Sequence, residues 1–173
     1  PDVQLSVIAD PWREGVDTLA ARLDCAAAYD CAEAIARDDV DAVVIGTHTD
    51  THIDYMLRAV KLGKPVLCEK PIDLDFGKAA QAVEEVERLN GNVMLGFNRR
   101  FDPDTLQMRK AIAAGEIGEV RQVIITSRDP GLASLDNLKH SGGIFRDMTI
   151  HDFDTARTLL GEEPVEVIAI ASR

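Results

Sequence analysis

Asp147, His151 and Asp154 follow Gly142-Gly143 at positions i, i+4 and i+7. In a helix, at about 100° per residue, they share a narrow arc of one face. A histidine flanked by carboxylates is a general-base arrangement, since a neighbouring acid orients the ring and stabilises its cation. On the other side of a helix over residues 143–160, Phe145, Phe153, Ala156 and Leu160 form a packing stripe. The same spacing describes the solvated polar face of an ordinary amphipathic helix, and spacing alone leaves both readings open.

Three further clusters follow strand-like runs. Cys68-Glu69-Lys70-Pro71 closes one of them, where Lys70 either pairs with Glu69 at the surface or projects into a cleft to bind a substrate hydroxyl. Pro71 fixes the direction of that turn. Gly46-Thr47-His48-Thr49-Asp50-Thr51-His52 lies where a strand gives way to a helix, on the side where parallel sheets bind ligands. Its Thr and His side chains suit ribose or phosphate, and Asp50 or Thr51 equally suits a helix cap. Asp10 ends the first strand. It reads either as the helix cap ahead of Pro11 or as the acid that accepts a hydrogen bond from an adenosine ribose in a dinucleotide fold. A metal is not expected, because His48 and His52 share an i, i+4 spacing with no nearby Cys or Glu to complete a zinc set. No G-x-S-x-G supports a hydrolase elbow.

The elements that must carry these residues alternate. Strands are predicted at Val3–Ala9, Ala26–Tyr29, Asp41–Ile45, Pro65–Cys68 and from Val93. Helices are predicted from Asp10 to Leu23, Cys31 to Arg37, Thr51 to Leu62 and Leu74 to Leu89, the last with Phe76, Ala79, Ala80, Val83 and Val86 as its apolar stripe. Short apolar runs between amphipathic helices indicate an α/β parallel sheet covered by helices. The texture changes near Gly96. A helix over 103–114, a longer strand over 119–127, a polar loop, the helix over 143–160 and a strand from Val165 predict a second, mixed domain. The boundary is placed between residues 97 and 98.

Of 173 residues, 46% are apolar, and the net charge of −11 opposes a nucleic-acid surface, which clusters Lys and Arg. No apolar stretch approaches the roughly 18 residues of a membrane helix. Cys25, Cys31 and Cys68 lack C-x-x-C spacing and read as reduced, packed thiols of a cytoplasmic protein.

Taken together, Ile8-Ala9-Asp10, Thr47 to His52, Glu69-Lys70-Pro71, Gly96-Phe97-Asn98-Arg99-Arg100-Phe101-Asp102 and the run from Ser141 to Asp154 resemble the glucose–fructose oxidoreductase and inositol dehydrogenase family. With Ser127-Arg128-Asp129-Pro130 before it, the last run is most similar to the family's inositol-oxidising members. The resemblance implies a Rossmann domain followed by an α+β substrate domain with a mostly antiparallel sheet. It implies hydride transfer from a ring hydroxyl of myo-inositol, or of another polyol or sugar, to NAD. By the same resemblance Lys70, Asp147 and His151 are catalytic, and Asp10, Thr47, His48, His52, Glu69, Lys70 and Asn98 line the cofactor. Asp129 and Asp154 face the substrate, and the full-length protein is a homo-oligomer. G-x-G-x-x-G is absent from the chain, so the expectation is a Rossmann domain without its first strand and glycine-rich turn. Such a chain alone binds NAD poorly.

Overall fold

The computed structural model describes residues 3–128, 130–131 and 141–170. The chain divides into two units, Pro1–Gly96 and Phe97–Arg173.

In the first unit, strands β1 (Val7–Ala9), β2 (Ala26–Ala28), β3 (Val43–Ile45), β4 (Val66–Cys68) and β5 (Val93–Leu95) alternate with helices α1 (Arg13–Leu23), α2 (Cys31–Ala36), α3 (Thr49–Lys61) and α4 (Phe76–Arg88). All strand pairs are parallel. β1 pairs with β2, and β3, β4 and β5 pair in that order with Ile45, Cys68 and Leu95 level with one another. The resulting order, β2-β1 and β3-β4-β5, is what a doubly wound sheet of order 3-2-1-4-5-6 leaves when its central strand is omitted.

The strands are shorter than their apolar runs. Val3 and Leu5 lie outside β1, with Val3 87% exposed, because a run becomes a strand only where its backbone finds a ladder partner. Ile45, Val66 and Cys68 meet Met56, Ala59 and Val60 of α3 and Ala82 of α4 in the core. Val44, Leu67 and Met94, level with one another, point to the exposed other face.

Two helix readings change. α1 begins at Arg13 rather than at Pro11, because Asp10 Oδ1 accepts the Trp12 N–H at 2.8 Å and closes a turn instead of capping a helix. The Trp12 indole then covers Gly15, where a Cβ would stand 2.3 Å from the ring. α4 buries Ala82 and leaves Phe76 86% exposed and Val83 exposed, so its inward stripe runs through Ala79, Ala82, Val86 and Leu89 instead. α2 is capped by Asp30, accepting from Ala32 and Glu33, and α4 starts at Phe76 rather than Leu74, capped by Asp75 accepting from Lys78.

In the second unit a 3-10 helix (Asn98–Phe101) leads into α5 (Pro103–Ala113), capped by Asp102 with Pro103 at its first position. α6 (Ile144–Asp147) and α7 (Ile150–Leu160) follow. The strand expected over 119–127 is not formed, and 165–170 form none either. Among the described residues neither run has a ladder partner, and Ile124, Val165 and Ile170 are 80%, 102% and 92% exposed. The continuous helix expected over 143–160 is broken at Met148 and Thr149, where the Thr149 hydroxyl bonds the Ile144 and Phe145 carbonyls. Its packing is also the reverse of the expectation: Phe145, Phe153 and Leu160 are exposed, and Asp154, at 4% exposure, is the buried position of α7. Among the described residues no helix is long and apolar enough to cross a membrane.

Candidate active site

Parallel pairing brings the C-terminal ends of β3, β4 and β5 to one edge of the sheet. The ladder runs on into the turns there: Glu69 N–H donates to the Ile45 carbonyl at 2.9 Å and Gly96 N–H to that of Cys68 at 2.8 Å. Glu69 is exposed, and its carboxylate lies over Gly96 so closely that a Cβ there would stand 2.9 Å from Oε2. A side chain at this position would have to displace the Glu69 carboxylate. Lys70 is half-buried and precedes Pro71 across a cis peptide bond.

After β3, Thr47 and Thr51 share a hydroxyl–hydroxyl bond of 2.7 Å, and the Thr51 hydroxyl also donates to the His48 carbonyl. His48 is exposed at the start of α3. His52 corrects the expectation for it. It is 1% exposed, with Nδ1 2.8 Å from the Pro71 carbonyl and Nε2 3.0 Å from that of Thr47. Each ring nitrogen faces a backbone carbonyl and a neutral ring donates to one of them, so the buried His52 packs between the two turns rather than lining a ligand.

At the end of β1, Asp10 is exposed and keeps one carboxylate oxygen on Trp12. Beneath it the Cys31 thiol donates to the Ala9 carbonyl, and burial pushes that thiol's pKa up. Cys68 is fully buried, and burial, helped by the charge of Glu69, raises its pKa to about 11. The strand ends therefore offer exposed carboxylates at Asp10 after β1 and Glu69 after β4, an exposed imidazole at His48 and bare backbone at Gly46. This set of acceptors, donors and side-chain-free approaches fits the hydroxyls and amide of a dinucleotide.

The second unit holds the other expected residues. Asp147 ends α6 and His151 sits in the first turn of α7, both half-buried, with the His151 Nδ1 buried. The Phe97 ring meets the His151 ring edge-on, centroids 6.2 Å apart. Asn98 is exposed on the 3-10 helix. Asp154 is not placed as a bare substrate ligand: Arg100 holds both its oxygens, Nε reaching Oδ2 at 2.7 Å. That bond, foremost, raises the Arg100 pKa. Arg99 pairs with Asp152, which also accepts the Ser127 hydroxyl at 2.6 Å. The sequence places Arg99, Arg100, Ser127 and Asp152 in the stretches that carry the resemblance but assigns them no role in the site. The available signal was two adjacent arginines and two acids within three residues of His151. Asp129 and His140 lie outside the described residues. Among the described residues no group of three or more His, Cys, Asp or Glu could hold a metal ion.

Two family models match the chain. An oxidoreductase family with an NAD-binding Rossmann fold covers residues 1–97, and the GFO/IDH/MocA C-terminal domain covers residues 105–173. The chain is 51% identical over 172 residues to an inositol 2-dehydrogenase of Rhizobium meliloti, covering 99% of this chain and 52% of that protein. It is 40% identical to a myo-inositol 2-dehydrogenase of Thermotoga maritima over 99% of this chain and 52% of that protein. Among solved structures, a myo-inositol dehydrogenase from Corynebacterium glutamicum superposes with a TM-score of 0.87 at 50% identity, over 92% of this chain and 48% of that one. A scyllo-inositol dehydrogenase from Lactobacillus casei with bound NAD(H) and scyllo-inositol gives 0.77 at 28% identity, over 92% and 49%. The chain thus spans about half the length of the relatives it matches.

Proposed function

This chain belongs to the GFO/IDH/MocA family of oxidoreductases, and on that footing we propose that it carries the Rossmann part and catalytic residues of an NAD-dependent inositol 2-dehydrogenase. The reading rests chiefly on 51% identity to an inositol 2-dehydrogenase along 99% of the chain. The reaction oxidises the ring secondary hydroxyl of myo-inositol to the 2-keto inositol.

Such an oxidation takes the hydroxyl proton as the C–H electrons leave. NAD, when bound, supplies the acceptor for those electrons. His151 takes the proton, and Asp147 holds the imidazole in the useful orientation and stabilises its cation. Lys70 hydrogen-bonds the reacting oxygen and stabilises its developing negative charge. Asp10 accepts from the adenosine ribose and repels a 2′-phosphate, which favours NAD over NADP. Thr47, His48, Glu69 and Asn98 complete the cofactor lining, and Asp129 meets substrate hydroxyls. Three free cysteines, two of them buried, support a cytoplasmic protein, and the family reading supports a homo-oligomer.

The test is His151→Ala in the full-length protein, assayed against myo-inositol, scyllo-inositol and a panel of sugars. Turnover falls by about 10²–10⁴-fold, the usual worth of positioned acid–base catalysis, while NAD affinity is kept. Wild-type turnover in that variant, or a sugar preferred over every inositol, overturns the reading.

A further inference from the structure

Phe97, Arg99 and Arg100, consecutive but for one residue, meet three positions in the first turn and a half of α7. Phe97 stands edge-on to the ring of His151, Arg99 pairs with Asp152, and Arg100 grips Asp154. Asp152 and Asp154 are two residues apart, so their directions differ by about 200° around the helix axis. Pins on two such directions fix the helix's rotation as one pin would not. The grip on Asp154 has a rigid form, because a guanidinium fork meeting both oxygens of a carboxylate sets orientation as well as distance. It is also a costly place for a charge: Asp154 is 4% exposed, and a carboxylate so buried is tolerated only when fully paired. Arg99 reaches Asp152 beside the Ser127 hydroxyl, which donates to the same oxygen.

We propose that Arg99 and Arg100 are positioning residues for His151, the 3-10 turn that bears them setting the rotation of α7 and hence the direction of the imidazole. This deepens the reading of His151 as the base and rests on it. Both guanidinium groups are committed to aspartates. Each acts through an aspartate one or three residues beyond the histidine, and Phe97 meets the ring itself edge-on.

Arg100→Lys, Arg99→Lys and Asp154→Asn, made in the full-length enzyme beside His151→Ala, test it. Lysine keeps the charge and loses the fork, and asparagine keeps the shape and loses the charge. The expected result is a kcat for myo-inositol oxidation about 10- to 100-fold lower, the scale of a misaimed catalytic group. The KM for NAD stays unchanged and the kinetic isotope effect on kcat, read with substrate deuterated at the reacting carbon, rises. The double variant Arg100→Asp with Asp154→Arg recovers part of the loss. If His151→Ala loses turnover while the lysine variants keep wild-type kcat, the positioning role is overturned and the base survives. If His151→Ala keeps turnover, the base reading itself fails. A rise confined to the KM for inositol makes Asp154 a substrate ligand and overturns the proposal. So does a loss of kcat that follows only the loss of folded protein.

Discussion

The Nδ1 nitrogen of His52 stands 2.8 Å from the carbonyl oxygen of Pro71, so a side chain of α3 meets the far end of the turn that carries Lys70, while the sheet ladder holds its near end at Glu69. Its Nε2 lies 3.0 Å from the Thr47 carbonyl, and a neutral ring donates to one of the two. His52→Ala removes a fully buried ring and the N–H that one of these carbonyls accepts. The expected cost to folding is about 2–4 kcal/mol, read from urea unfolding of the full-length protein. A loss below roughly 0.5 kcal/mol, the range of a surface change, would show that the turns hold themselves.

Gly96→Ala separates binding from stability. The new Cβ would stand 2.9 Å from the Glu69 carboxylate, which is the far end of an exposed, flexible side chain and swings aside at little cost. Folding stability then changes by less than about 1 kcal/mol. NAD binding to the full-length protein weakens about tenfold, the worth of one charge-assisted hydrogen bond, in a fluorescence titration. Unchanged affinity would remove Glu69 from the cofactor lining.

Asp10→Ala bears on the choice of cofactor. The carboxylate is exposed at the end of β1, and its removal ends the repulsion of a 2′-phosphate. The ratio of kcat/KM for NAD to that for NADP should fall by about 10- to 100-fold, as for the loss of one close like-charge contact. A constant ratio would leave Asp10 as the acceptor of the Trp12 N–H and nothing more.

Cys68 sets an alkaline limit. Its thiol pKa is about 11 in the fold against 9.0 ordinarily. Below pH 9 the thiol is protonated in both the folded and unfolded chain and contributes no pH dependence. Between about 9 and 11 the unfolded thiol ionises while the buried one does not, so stability falls by roughly 2–3 kcal/mol across that window. Cys68→Ala flattens this slope in denaturant melts from pH 8 to 11. An equally steep slope in the variant would assign it to other groups.

The first unit was legible because its signals are local. Its parallel strands read as continuous apolar runs, and Gly63 and Asn90-Gly91 follow the ends of α3 and α4, signals that need no tertiary partner. The failures are non-local. Whether 119–127 or 165–170 forms a strand depends on a partner that their own residues do not specify. The polarity of α7 was misread because apolar residues were taken as the inward face. Arg100, 54 positions earlier, makes it favourable to bury Asp154 and leave Phe153 in solvent. His52 was read from its place beside Thr47, and only the carbonyl of Pro71, 19 residues on, reveals which way it faces. Residue types were readable, whereas partners separated by tens of residues were not.

The turn at Met148 and Thr149 puts Asp147 and His151 on separate helices. Four residues of unbroken helix would lock the two side chains into one angular phase. With the turn between them, each helix keeps its own phase, α7 through its arginine partners and α6 through the Thr149 hydroxyl on its first two carbonyls. The acid and the base can therefore be tuned separately, and a change of length at the turn would slide one past the other without turning either off its own axis.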